Sequence, residues 1–142
     1  AAASVIYQSW LPLMLIGLPR VYGTWLHIVF GLTQHAGLAE DVLDHRHNTR
    51  TVYMNPIFRF LYWNMNYHVE HHMFPMVPYH ALPALHEEMK ADTAPVYRNM
   101  MEAYREIIPA LWKQSSDPDF FVPRAVPNSD PISEQSGPVV AA

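Results

Sequence analysis

The stretch "NMNYHVEHHMFP", Asn64 to Pro75, places His68, His71 and His72 within five positions. Imidazole is the commonest metal ligand among side chains, and its neutral nitrogen is the atom that binds. A run this dense points to metal ligation before it points to packing. Spacing also excludes one chemistry: the zinc-protease motif HExxH needs a glutamate directly after its first histidine, and Val69 stands in that place. At intervals of three and four the imidazoles share one face of a helix, while Glu70 falls on the opposite side. His71 and His72 are adjacent and point about 100° apart, which suits a pair of ions better than one tetrahedral ion. Imidazole takes iron as well as zinc, so the spacing does not name the element.

Composition narrows the chemistry further. The chain has no cysteine, so disulfides, cysteine-bound zinc and thiol nucleophiles are excluded and any metal is held by nitrogen or oxygen. A formal charge of -4, with no basic patch interleaved with aromatics, excludes a general nucleic-acid partner. No GxGxxG fingerprint for a flavin or nicotinamide is present.

The elements that must position these groups come next. The 142 residues suffice for one domain, and the opening "AAASVIYQSW", without initiator methionine or signal peptide, reads as the start of a C-terminal piece of a longer chain. Between Ala1 and Ala39 the only formally charged residue is Arg20, so two environments are expected. Residues 1–18 read as the end of a membrane helix, weakened by Ser4, Gln8, Ser9 and Pro12, with Arg20, Trp10, Tyr22 and Trp25 suited to the interface. A buried helix of a soluble protein is the competing reading of that run. Residues 21–38 carry His27, Gln34 and His35 and are too polar for a lipid-facing span, so they read as an interfacial helix. The charged string "EDVLDHRHNTRT" reads as a water-facing connection.

Asn55 followed by Pro56 is an N-cap with a first-turn proline, and Pro75 stops a helix near Phe74, so one helix over 55–74 carries the histidines near its end. On that helix Ile57, Leu61, Asn64, His68, His71 and His72 form one stripe, where Asn64 reads equally as a residue orienting a ligand or a metal-bound water and as a helix-face amide. His45 and His47 are two apart, cannot share a helical face and read as solvated loop residues. His27, His80 and His86 read as structural, and Glu87 and Glu88 as a solvated face. Residues 94–113 read as an amphipathic helix with Val96, Met100, Ala103 and Ile107 inward, kinked or ended by Pro109. The domain extends over 1–123, and 124–142 reads as a disordered tail. The class is all-α: the C-terminal part of a helical integral membrane protein with a cytosolic helical cap.

"YHVEHHMFPMVP", Tyr67 to Pro78, resembles the third histidine box of the membrane-bound fatty acid desaturases and hydroxylases, HxxHH followed by a proline-containing turn. "TQHAGL", Thr33 to Leu38, resembles the separate upstream histidine that reaches the metals in many members. The resemblance runs through about Glu88 and is strongest to bacterial members, including hydrocarbon oxygenases of the rhizopine-catabolism type. It implies an integral membrane enzyme with two iron ions on the cytoplasmic side, dioxygen as co-substrate and a lipid acyl or hydrocarbon chain as substrate. It further implies His35, His68, His71 and His72 as metal ligands, no catalytic residue beyond them, and electrons from a ferredoxin, rubredoxin or cytochrome. The family's first two boxes are absent, so these residues alone are expected not to turn over. A different class remains open beside this, a noncatalytic membrane-associated module holding one zinc.

Overall fold

The computed structural model describes residues 2–130 and Ile132. The chain divides into two units, Ala1–Leu32 and Thr33–Ala142. The described residues are helical, with isolated bridges in place of strands.

The first unit is built from short pieces. Helix α1 spans Ala2–Ile6, a π-helical turn spans Leu13–Gly17, α2 spans Leu18–Tyr22 and α3 begins at Thr24, ending at His35 in the second unit. The continuous helix expected over 1–18 is therefore broken. Gln8 sits at a φ of 43°, in the left-handed region that ends a right-handed helix. Pro12 and Pro19 lack the N–H that would carry the helix across them, and Leu18 instead donates to the carbonyl of Leu13, one residue further back than in an α-helix. Among the described residues no single helix is long and apolar enough to cross a membrane; Leu13–Val21 and Thr24–His35 pass that test together as a pair bent by 40°. Val5, Trp10, Leu15, Val21 and Trp25 are exposed, as is His27, which the sequence reading placed in packing.

The second unit is organised around one buried extended segment, Thr49–Val52. Its backbone bonds reach in several directions. Arg50 N donates to Gln34 O at 2.9 Å, next to His35, and Val52 N donates to Asn66 O at 3.0 Å, just ahead of the histidine run. Tyr53 N donates to Tyr97 O at 2.8 Å, and bridges pair Thr51 with Tyr67 and Val52 with Tyr97. The core beside this spine comprises Val52, Tyr97, Ala103 and Ile107, with Ala36, Met100 and Tyr104 packed against them.

Around the spine lie α4 (His45–Asn48), α5 (Pro56–Leu61), α6 (His68–Met73), α7 (Leu82–Met89) and α8 (Met100–Gln114). The single helix expected over 55–74 is two helices. Asn55 caps α5 as its sequence predicts, its Oδ1 accepting from Phe58 N at 2.9 Å. The break follows because Trp63 and Asn64 both adopt a φ of 53°, and because the Asn66 backbone carbonyl accepts from Val52 N while its side-chain amide donates to Val52 O. A continuous helix would need that carbonyl for itself, so the stripe running back from His68 to Ile57 does not form.

Helix α8 starts at Met100 rather than at 94, where Asn99 Oδ1 accepts from Glu102 N at 2.9 Å. It continues through Pro109 to Gln114, held by the buried face of Ala103, Ile107 and Ala110. Of the tail expected to be disordered, 131 and 133–142 lie outside the described residues. Residues 124–130 are tied down instead: Arg124 donates to Pro95 O at 2.9 Å, and Ser129 Oγ donates to Asp44 Oδ2 at 2.8 Å.

Candidate metal centre

His35 closes α3, after which Gly37 turns the chain at a φ of 75°. His68 opens α6, and His72 lies one turn later on the same face. Their Nε2 atoms converge: His35 Nε2 is 2.8 Å from His68 Nε2, and His72 Nε2 is 3.1 Å from the same atom. All three ligating nitrogens lie within 4.8 Å of one another. His35 Nδ1 donates to the Asn48 carbonyl at 2.8 Å, which commits its proton there and leaves Nε2 as a bare lone pair.

That commitment makes the cluster frustrated as three neutral rings. His68 Nε2 faces two other nitrogens but carries at most one proton, so with His35 Nε2 bare at most one of the two close contacts is a full hydrogen bond. A cation at the point of convergence removes the conflict. With metal–nitrogen bonds of about 2.1 Å, two ligand nitrogens stand about 3.0 Å apart at a right angle and about 3.4 Å apart at the tetrahedral angle. The observed 2.8 and 3.1 Å stand on either side of the right-angle separation.

Electrostatics keeps the rings in their ligating form. Burial, joined by the neighbouring His35, His72 and His71, pushes His68 down to about 2. Burial, with His35, His45 and His71, lowers His72 to about 4. Both are neutral at physiological pH, as metal ligation requires.

His71 stands apart from the convergent three. Its ring centroid is 5.7 Å from those of His68 and His72. Asn64 directs its amide elsewhere: Oδ1 accepts from Arg59 Nε at 3.2 Å and Nδ2 donates to Tyr79 O at 3.1 Å. It stabilises the turn between α5 and α6 instead of facing a histidine. A groove of about 530 Å³ opens on that turn, lined by Arg59, Phe60, Leu61 and Trp63 among others, and no histidine lines it.

The back of α6 is held by Glu70, Thr51 and His86, the last in keeping with its reading as structural. Glu70 is fully buried; its Oε2 accepts from Thr51 Oγ1 at 2.5 Å and its Oε1 pairs with His86 Nδ1 at 2.5 Å. His86 Nε2 meets Tyr53 Oη at 2.8 Å, so the spine, α6 and α7 are joined by one chain of polar contacts. Opposite placement of Glu70 from the imidazoles is what the helical period predicts; its partners, sixteen and nineteen positions away, are not visible in that period. His45 and His47 are likewise not loop residues. Both lie on α4, where His47 is buried against Ser129 Oγ at 2.8 Å and His45 places its ring centroid 5.1 Å from that of His72. Glu87 and Glu88 are exposed, in keeping with a solvated face, whereas His80, read as structural, is exposed too.

Comparison with known proteins adds one match. The fatty acid desaturase family covers residues 1–104 of the chain. No curated protein and no solved structure matches it.

Proposed function

Since the chain belongs to the fatty acid desaturase family, we propose that it serves an oxygen-dependent oxidoreductase acting on an unactivated C–H bond of a lipid acyl or hydrocarbon chain, by desaturation or hydroxylation. The observation that carries this reading is the convergence of three Nε2 atoms from two segments, His35 on one and His68 and His72 on the other. In this reading those residues, with His71 beside them, hold a pair of iron ions. When bound, the iron supplies activation of dioxygen and removal of a hydrogen atom from the chain.

The protein's own residues bind and orient. Asn48 O fixes the His35 tautomer, and the Thr51, Glu70 and His86 contacts hold α6 so that His68 and His72 face inward. Low basicity of His68 and His72 keeps their lone pairs available. A di-iron centre takes more ligands than these imidazoles supply, so turnover requires further ligands in addition to them. Electrons come from a ferredoxin, rubredoxin or cytochrome. The exposed apolar residues of the first unit seat it in a membrane, with the metals on the cytoplasmic side.

The test is iron content and lipid product analysis of the complete protein, wild type against His68→Ala and His71→Ala. The expected result is iron in the wild type, with loss of iron and of the oxidised lipid in both variants. Iron and products unchanged in His68→Ala would overturn the proposal, and one tightly held zinc in place of iron would assign the noncatalytic class.

A further inference from the structure

We propose that His45 is a further ligand of the metal centre, beside His72, and that Asn48 aims it. This rests on reading the convergent nitrogens as a metal site.

Three observations carry it. The first is Asn48 itself, which uses both of its carbonyl oxygens on imidazoles. Its backbone oxygen takes the Nδ1 proton of His35 at 2.8 Å, and its side-chain Oδ1 meets Nδ1 of His45 at 3.2 Å. A ring whose Nδ1–H is held by an oxygen presents Nε2 as the ligand, and such a partner is the usual companion of a metal-bound histidine. His35 and His45 are thus given the same tautomer by one residue, and His45 Nε2 makes no hydrogen bond among the described residues.

The second observation is distance. The His45 and His72 ring centroids are 5.1 Å apart, beside 5.0 Å for His35 and His72 and 4.5 Å for His68 and His72. With a bond of about 2.1 Å and a ring centre about 1.1 Å beyond the nitrogen, two imidazoles on one ion stand about 4.5 Å apart at a right angle and about 5.2 Å at the tetrahedral angle. All three separations from His72 lie in that range, and since the nitrogens within 4.8 Å of one another are those of His35, His68 and His72, the place of His45 is at the edge of that group, beside His72.

The third is that α4 is anchored where it stands. Asp44 accepts from Arg46 N at 3.0 Å and pairs with the Arg46 guanidinium at 2.6 Å, and Arg46 also donates to Asp92 O at 2.8 Å. His47, two positions on, is occupied by Ser129 and serves as the control.

The experiment is titration of the purified chain in detergent with Co(II), followed by visible absorption, for wild type, His45→Ala, His47→Ala and Asn48→Ala. His45→Ala should weaken Co(II) binding by about 10–100-fold and change the spectrum, with free imidazole restoring both. Asn48→Ala should weaken binding by a smaller factor, since its backbone carbonyl still serves His35, and His47→Ala should leave affinity and spectrum unchanged. Wild-type affinity and spectrum in His45→Ala would overturn the assignment of His45 while leaving the three-imidazole site standing. Weakened binding that imidazole does not restore, with a lowered unfolding temperature, would overturn it too by showing that His45 only packs. Absence of Co(II) binding by the wild type would sink the metal reading itself.

Discussion

Replacing Glu70 with leucine tests how the imidazole helix is held. Glu70 is fully enclosed, and the side chains of Glu70 and His86 are 0% and 2% exposed. It accepts from Thr51 Oγ1 at 2.5 Å and pairs with His86 Nδ1 at 2.5 Å. Leucine fills much of the same volume but accepts nothing, so the buried His86 ring and Thr51 hydroxyl both lose their partner. Removing one member of a buried pair costs about 3–5 kcal/mol, and the stranded hydroxyl lies within that range. Glutamine keeps an amide oxygen for His86 Nδ1–H and turns its NH2 toward Thr51 Oγ1, whose hydroxyl must rotate away and accept instead, so it gives up the strengthening that charge adds and that donated bond, about 1–2 kcal/mol. At about 3–5 °C per kcal/mol for a chain of this size, Glu70→Leu should melt roughly 10–20 °C below wild type and Glu70→Gln roughly 3–10 °C below. Thermal unfolding followed by circular dichroism in one detergent reads both. Glu70→Leu melting with the wild type, or above Glu70→Gln, would refute the claim that this carboxylate anchors α6.

Other outcomes follow from the same geometry. His68 and His72 are held at about 2 and about 4, below the ordinary 6.5, so the unfolded chain takes up protons before the folded one. Stability from these rings is complete above about pH 6.5 and is lost as pH falls toward 4 and then 2; a flat urea-unfolding profile between pH 7 and 4 would contradict this. Asp44, which burial raises but the Arg46 and Ser129 contacts bring down to about 2, adds a separate loss only between about pH 3.8 and 2. Gly37→Ala should destabilise by about 1–3 kcal/mol in denaturant unfolding, because a Cβ there meets Ala110 Cβ at 2.7 Å on a backbone at a φ of 75°. Arg50→Met should cost about 3–5 kcal/mol by the same measurement, since the buried guanidinium bonds Ala36 O at 2.6 Å and Glu106 Oε1 at 3.0 Å.

Local sequence carries part of this arrangement. The cap at Asn55 with Pro56, the stop before Pro75 and the shared face of His68 and His72 depend on neighbours within a turn, and each is where its spacing puts it. The break between α5 and α6 is not of that kind. It depends on Asn66 pairing with Val52, fourteen positions away, and on two residues taking a φ of 53°, which outweighs the helical preference of the run. Asn64 was read as a helix-face amide and becomes a turn residue for the same reason. His45 escaped because an interval of two was judged within one element, whereas its neighbour His72 comes from another helix. Pro109 was read as kinking or ending its helix; α8 does not end there, because the buried positions on either side, Ile107 and Ala110, hold the helix in place. Membership of the family was legible throughout, because the box and the upstream histidine are contiguous strings.

In the proposed function His35, His68 and His72 grasp a metal ion through Nε2. X-ray absorption at the iron edge of the protein loaded anaerobically with Fe(II) tests it most directly. The predicted result is a shell of nitrogen and oxygen at about 2.1 Å, with outer-shell scattering from imidazole that disappears in the triple alanine variant of these histidines. Retention of iron with an unchanged imidazole pattern in that variant, or no imidazole pattern in the wild type, would contradict it.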